Sequence, residues 1–322
     1  RYDYQYGLMQ KVSNYTGDVL GEAYWEGVAT NARGQYIDEQ YGNTLRTISG
    51  YDRIAGWLDD RTTGRTGQTS LQNFTYQWDA LGNLTQRQDS YNNVTESFYY
   101  DALDRLDYST LNGTTNLDLG YDSIGNITSK SGVGTYTYHA TKRHAVVSTT
   151  GAINSTFAYD ANGNMQTRNG QTITWYRNNL PRKINASATI SNEFWYGPDG
   201  ARWKQVTVNG SSTGTWTYIG AHVERLVTST VNEFRHYIRG PNGVVAVYKR
   251  PASGVGPTTT YVTKDHLGSL DVISNTAGIE LADGGFSAFG ERVHFTGSGP
   301  PTADDLRDLR GATRRGFTFH EH

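Results

Sequence analysis

Cysteine is absent from these 322 residues, which excludes a disulfide framework and thiolate metal sites and leaves the compartment open. Charge is scarce too. Only 19% of residues are charged, and a net charge of -2 with a pI near 6.5 leaves no basic stripe of the kind that holds nucleic acid, so nucleic acid is not expected as a partner. No apolar run approaches the roughly 20 residues of a membrane-spanning helix. Strong helix formers are few, and no Pro/Ser linker or block of like charge divides the chain. The mean hydropathy of -0.64 therefore comes from Thr, Asn, Ser, Gln and Gly rather than from Lys and Glu.

What is abundant points to strands and turns. The 23 Tyr, 7 Trp and 10 Phe favour pleated surfaces, and 37 Gly match many tight turns. One phrase, aromatic-Asp-x-x-Gly-Asn-aliphatic, recurs as Trp78-Asp79-Ala80-Leu81-Gly82-Asn83-Leu84, as Tyr121-Asp122-Ser123-Ile124-Gly125-Asn126-Ile127 and as Tyr159-Asp160-Ala161-Asn162-Gly163-Asn164-Met165. Before each Asp the apolar side chains alternate with polar ones, as in Phe74, Tyr76, Trp78, which is the period of a strand with one buried face. Asp accepts hydrogen bonds from backbone N-H groups two or three residues on, and Gly supplies the left-handed conformation that closes a bulged hairpin. Looser copies keep the same plan. Tyr51-Asp52 is followed by Gly56, and Tyr100-Asp101 carries Asp104 where Gly belongs. Trp175 to Leu180, Tyr196 to Gly200 and Ile238 to Gly243 lose the Asp after the aromatic or aliphatic strand end but keep turn chemistry. Asp79 to Asp101 is 22 residues, Asp101 to Asp122 is 21 and Asp122 to Asp160 is 38, so a degenerate hairpin near Tyr136 and Tyr138 fills one slot. The expectation is an all-β repeat array of antiparallel hairpins.

Chemistry candidates are thin. The repeated Asp79, Asp101, Asp122 and Asp160 suggest calcium, but the turn already uses them and the other oxygen ligands are not supplied at fixed spacing. Read as strand neighbours, Asp265 and His266 would point to opposite faces and could not form an acid-base pair. His320 and His322, flanking Glu321, would share a strand face and offer a metal two imidazoles, yet no third ligand lies near in sequence. No catalytic residue, metal or cofactor is expected. Residues 302–311 break the β pattern: Thr302 is a helix N-cap after Pro300-Pro301, Asp304 and Asp305 stand in the first turn, and Arg310-Gly311 closes a short helix. It would be a surface ornament or a lid.

The Tyr-Asp phrase resembles the YD repeat of the Rhs family, shared with teneurins and with shell components of insecticidal toxin complexes. Tyr261-Val262-Thr263-Lys264-Asp265-His266-Leu267-Gly268-Ser269-Leu270 is similar to a segment late in Rhs cores, and Phe289-Gly290-Glu291 and Arg315 to His322 resemble the stretches that come after that segment. Phe319 stands where those cores usually have Gly. The resemblance implies one array over 1–322, with degenerate repeats at 1–50, YD hairpins at 51–250 and the late core at 251–322. It implies hairpins that join into a spiralling sheet, part of a hollow shell around a C-terminal toxin carried on the same polypeptide. Such a polymorphic toxin is secreted or surface-borne, acts in intercellular competition, and meets a secretion system or a cell-surface partner. Starting at Arg1 and stopping at His322, the chain reads as a piece of something longer, ending before the toxin. The second function the resemblance implies is a recognition module whose exposed aromatics bind glycans.

Overall fold

The computed structural model describes residues 1–16, 19–68 and 70–293. Among them all regular structure is strand: 29 strands, 27 of which belong to one sheet. Successive strands pair antiparallel, so the array is built from consecutive hairpins. The all-β hairpin architecture expected from the sequence is the one observed. The proposed helix at 302–311 and the triplet His320-Glu321-His322 lie outside the described residues.

One turn recurs along the array. Strand Gln72–Trp78 pairs with Leu84–Asp89, and the register shifts between Gln77 and Trp78, which is the expected bulge. In the loop between them Asp79 N-H donates to Asn83 O at 2.9 Å and Gly82 N-H donates to Asp79 O at 3.2 Å. That geometry needs a left-handed residue, and Gly82 has φ +91°. The same pair of bonds closes the loops at Asp101–Arg105, Asp122–Asn126, Asp160–Asn164, Tyr176–Leu180, Gly197–Ala201 and Asp265–Ser269. At the left-handed position these loops carry Asp104, Gly125, Gly163, Asn179, Gly200 and Gly268 in turn, the residue types that tolerate it best. The degenerate slot is filled as expected, with strand Gly134–Tyr138 leading into a loop at His139. Gly163, at φ +89° with open space where a Cβ would go, isolates the backbone cost. Gly163→Val is expected to lower stability by about 1 to 3 kcal/mol, measured by denaturant melts against an exposed strand substitution such as Thr172→Val. Equal midpoints would sink the turn model.

The chain forms two compact units. The first holds Arg1–Ser97, His236–Lys249 and the residues from Pro257 onward; the second holds Phe98–Arg235 and Arg250–Gly256. In the first unit late strands pack on early ones: Val245, Ala246 and Tyr261 share a core with Val12, Trp25, Tyr36, Tyr41 and Leu45. A second cluster gathers Tyr237, Val244, Val247, Val262, Leu270 and Ile273. The alternation predicted for Gln72–Trp78 appears there as buried Phe74 and Tyr76 beside exposed Thr75 and Gln77. The second unit is different. Its strands read half-buried and exposed by turns, as in Gly134–Tyr138 and Gln171–Trp175, and its buried apolar side chains are Phe98, Leu117, Leu119, Phe194 and Trp216. It is a sheet with one face partly covered and no thick core of its own.

Candidate functional site

The Asp of each phrase is a turn cap. Asp79 Oδ1 accepts from Leu81 N-H and Asn83 N-H, both at 2.9 Å, while Asn83 Nδ2 donates to Asp79 Oδ2 at 2.9 Å. Asp122 and Asn126 repeat this, and at Asp160 the bonds from Asn164 N-H and Nδ2 recur. At Asp101 the guanidinium of Arg105 takes the place of the Asn amide. The acceptor geometry differs from expectation: the bonds come from two and four residues on, because the left-handed residue swings the fourth N-H back toward the carboxylate. The longer Asp52 loop uses residues two and three on, Ile54 and Ala55, as does the turn at Asp89 with Tyr91 and Asn92. These bonds hold the carboxyls of Asp79, Asp101 and Asp160 below the ordinary range, the side chain at the Asn position contributing most. At Asp122 slight burial opposes the shift and the Asn126 bonds outweigh it. A depressed carboxyl stabilises the fold above its unfolded pKa, and that stability is lost as pH falls through the folded value. Asp122→Ala is therefore expected to lower the melting temperature at pH 7 and to converge with the wild type below the carboxylate range of about 4. A constant difference down to acid pH would contradict the capping role.

The aromatic of the phrase has a job of its own. Tyr121 Oη donates to Leu106 O at 2.7 Å, Tyr138 to Ile127 O at 2.8 Å, Tyr159 to Val146 O at 2.8 Å and Tyr196 to Pro181 O at 2.9 Å. Trp78 and Trp175 do the same through Nε1, to Leu58 O and Met165 O. In every case the acceptor is the first strand residue after the preceding turn, so each phrase is tied to the hairpin before it. Ring faces are also engaged. Arg105 lies over Tyr121, Arg202 over Tyr218, Lys204 over Trp195 and Arg235 over Trp216, at 4.3 to 5.1 Å.

A buried polar cluster in the first unit was not expected. There Asp265 is a turn cap and not a strand residue: Leu267 N-H and Ser269 N-H donate to its Oδ1, and Gly268 takes φ +82°. It makes no bond to His266, which lies against Tyr76 (4.9 Å between ring centres) and Trp78 (6.2 Å). Early strands reach up to this late turn. Arg61 Nη1 donates to Lys264 O and Asp265 O, both at 3.2 Å, and Gln72 Nε2 donates to Lys264 O at 3.0 Å and Asp271 Oδ2 at 2.7 Å. Arg87 bonds Glu96 Oε2 and Phe286 O and comes within 3.9 Å of Asp265 Oδ2. Glu39 is held by Trp25 Nε1 at 2.9 Å.

The electrostatics follow from burial. Asp271 is pushed well above the carboxylate range by burial and by the charges of Asp89 and Asp265. Asp265 is raised by burial against the pull of Arg87. His266 drops to about 3 through burial, with Arg87 and Arg61 adding to it, and is neutral at any physiological pH. Lys264 falls to about 7 because burial outweighs the attraction of Glu39, with Arg239 and Arg61 pushing the same way. Among the described residues no three His, Asp or Glu converge to hold a metal, and no helix is long and apolar enough to cross a membrane.

No protein-family model and no curated protein matches the sequence. Solved structures do match in shape. "Crystal Structure of TcdB2-TccC3" superposes with a TM-score of 0.79 at 15% identity, covering 100% of this chain and 18% of that one. "Crystal Structure of TcdB2-TccC3-TEV" gives 0.76 at 14% identity over 98% of this chain and 18% of that one. The fold is that of the TcdB2-TccC3 structures. A Photorhabdus luminescens Tc holotoxin pore carrying TccC3-D651A gives 0.68 at 15% identity, over 88% of this chain and 17% of that one. This chain thus spans less than a fifth of the chains whose fold it shares.

Within the TcdB2-TccC3 fold, the residues singled out in sequence fall in two places. Asp79, Gly82, Asn83, Asp101, Asp122, Gly125, Asn126, Asp160, Gly163 and Asn164 all stand in hairpin turns, while Asp265, His266 and Gly268 join the buried cluster. Arg61, Gln72, Arg87, Glu96, Lys264 and Asp271 complete that cluster, and of these Lys264 alone lies in a motif, the Tyr261–Leu270 segment. The only sequence signal of the others is a charged or amide residue at an inward position of an alternating strand, as with Gln72 before Phe74 and Tyr76.

Proposed function

We propose that this chain is a non-enzymatic wall segment of a secreted or surface Rhs-type toxin, enclosing or presenting a C-terminal toxin that lies beyond His322 on the same polypeptide. The observation that carries the reading is the fold match over the full length of the chain to the TcdB2-TccC3 structures. Two features support it. The phrase residues are consumed in building hairpins and tying each to the one before, as in a scaffold, and the second unit is a sheet with little core, suited to facing a lumen. The rival glycan-binding reading needs free aromatic faces, and several rings of the second unit are covered by the protein's own Arg and Lys.

The test uses the full-length polypeptide with a tag on its C-terminal tail. At a protease dose that degrades the tail expressed alone, the tail within the intact protein is expected to survive. Equal rates of digestion would overturn the enclosing role. Saturable binding of cell-wall sugars that is lost in Trp203→Ala, whose ring is 47% exposed, would favour recognition instead.

A further inference from the structure

A carboxylate is buried cheaply only beside a cation, and one buried without a cation tends to keep its proton. Asp271, in the late strand Leu270–Ser274, is in the second position. It is 7% exposed, Gln72 Nε2 donates to its Oδ2 at 2.7 Å, and among the described residues no Lys, Arg or His forms an ion pair with it. What faces it is more acid. Asp89 is buried at the end of strand Leu84–Asp89, its oxygens taken by Tyr91 N-H, Asn92 N-H and Asn92 Nδ2. Asp265 is buried in the turn that leads into the strand of Asp271, and Asp283 stands opposite Val272 in the following strand, Glu280–Asp283. Tyr76 faces Asp271 from the early side. Arg87 comes within 3.9 Å of Asp265 but is bonded to Glu96.

We propose that Asp271, with Asp89, Asp265 and Asp283 around it, is a pH-sensitive latch between the early strands and the late segment of the first unit, shut while Asp271 holds its proton and loosened when the proton leaves. Protonated, Asp271 adds no charge to the group. Ionised, it sets a further negative charge against Asp89 and Asp265 with only the Gln72 amide to answer it. Gln72 reaches from strand Gln72–Trp78 to both Lys264 O and Asp271, so the repulsion acts where the two parts are joined. The direction follows from the surroundings. Burial first, then the charges of Asp89 and Asp265, hold the Asp271 carboxyl well above its ordinary range against the pull of the Gln72 bond, and Asp283 adds to the rise. A raised carboxyl leaves the joint at full strength in acid and weakens it as pH climbs from the unfolded value of about 4 toward the folded one. Lys264 acts the other way, since a value lowered to about 7 favours the fold as pH rises past it. The latch is therefore read as a difference between the wild type and a variant that cannot ionise at position 271.

Asp271→Asn is that variant, because it keeps an acceptor for Gln72 and has no proton to lose. Hydrogen exchange of the whole chain at pH 5 and pH 8, corrected for the intrinsic rate, is followed in peptides from strands Thr258–Lys264 and Leu270–Ser274. Between the two pH values the opening of these strands in the wild type is expected to rise, relative to Asp271→Asn, by about tenfold or more, since each pH unit between the unfolded and folded values multiplies it by about ten. Peptides from the second unit, such as Gly134–Tyr138, should show no such difference. The same pH dependence in wild type and variant would overturn the proposal, and so would a difference spread equally over both units. If Asp271→Asn does not fold, NMR of the aspartyl carboxyl carbons in the wild type decides: at least one should titrate above pH of about 6, and none doing so would rule the latch out.

Discussion

Arg87→Leu is expected to cost about 3 to 5 kcal/mol of stability, because it leaves two buried carboxylates without their cation. Arg87 is 7% exposed, and Glu96, to which it is bonded, is 3% exposed. Its guanidinium also donates to Phe286 O and faces Asp265, so one side chain ties the strand Leu84–Asp89 to the late segment of the first unit. Leucine fills the volume but offers none of this. Denaturant unfolding should show the loss, and adding Glu96→Gln should return part of it by removing one stranded charge. The deficit of the single variant should shrink on acidification, because Asp265, already raised by burial, loses the cation that pulls its carboxyl down, and its penalty fades as pH falls toward its folded value. A loss below about 1 kcal/mol would mean that solvent reaches the pair, as it does at surface ion pairs.

The hairpins were legible in the sequence because their chemistry is local. Asp160 meets Asn164 four residues away, and Gly163 between them takes the one conformation that few other residues accept. Even the degenerate loop keeps a cap, with His139 Nδ1 accepting from the N-H groups of Thr141 and Lys142, two and three residues on, in place of an Asp carboxylate. The tie from each aromatic to the preceding hairpin was less visible: the acceptor is a backbone carbonyl 10 to 20 residues back, and a carbonyl has no sequence signature. The rest of the cluster in the first unit, beyond Asp265, His266 and Gly268, was not legible. Gln72 and Asp271 stand 199 residues apart, and nothing in either strand says that it will face the other. Local spacing even misplaced Asp265 and His266, which read as strand neighbours. The strand ends at Lys264, and the pair occupies the turn beyond it, where the carboxylate caps amides and the imidazole is pressed onto Tyr76.

Trp25 tests how the apolar and polar parts of that unit depend on each other. Its side chain is fully buried, meets Tyr36 edge-on at 5.2 Å and belongs to the core that late-strand Val245, Ala246 and Tyr261 complete. Trp25→Ala is expected to cost about 3 to 5 kcal/mol from the cavity and lost contacts. Trp25→Phe keeps much of the packing but removes the donor to Glu39, and should cost about 1 to 3 kcal/mol for the stranded acceptor. The two losses should answer to pH differently. Burial already raises the Glu39 carboxyl, and removing the Trp25 N-H, which favours the charged form, raises it further. A raised carboxyl penalises the fold above its folded pKa, and the penalty fades as pH falls toward that value. The Trp25→Phe deficit should therefore narrow from pH 8 to pH 5, while most of the Trp25→Ala deficit, being apolar, persists. Denaturant melts of both variants at the two pH values check this, and a Trp25→Phe deficit that does not move with pH would show that Glu39 does not depend on the indole.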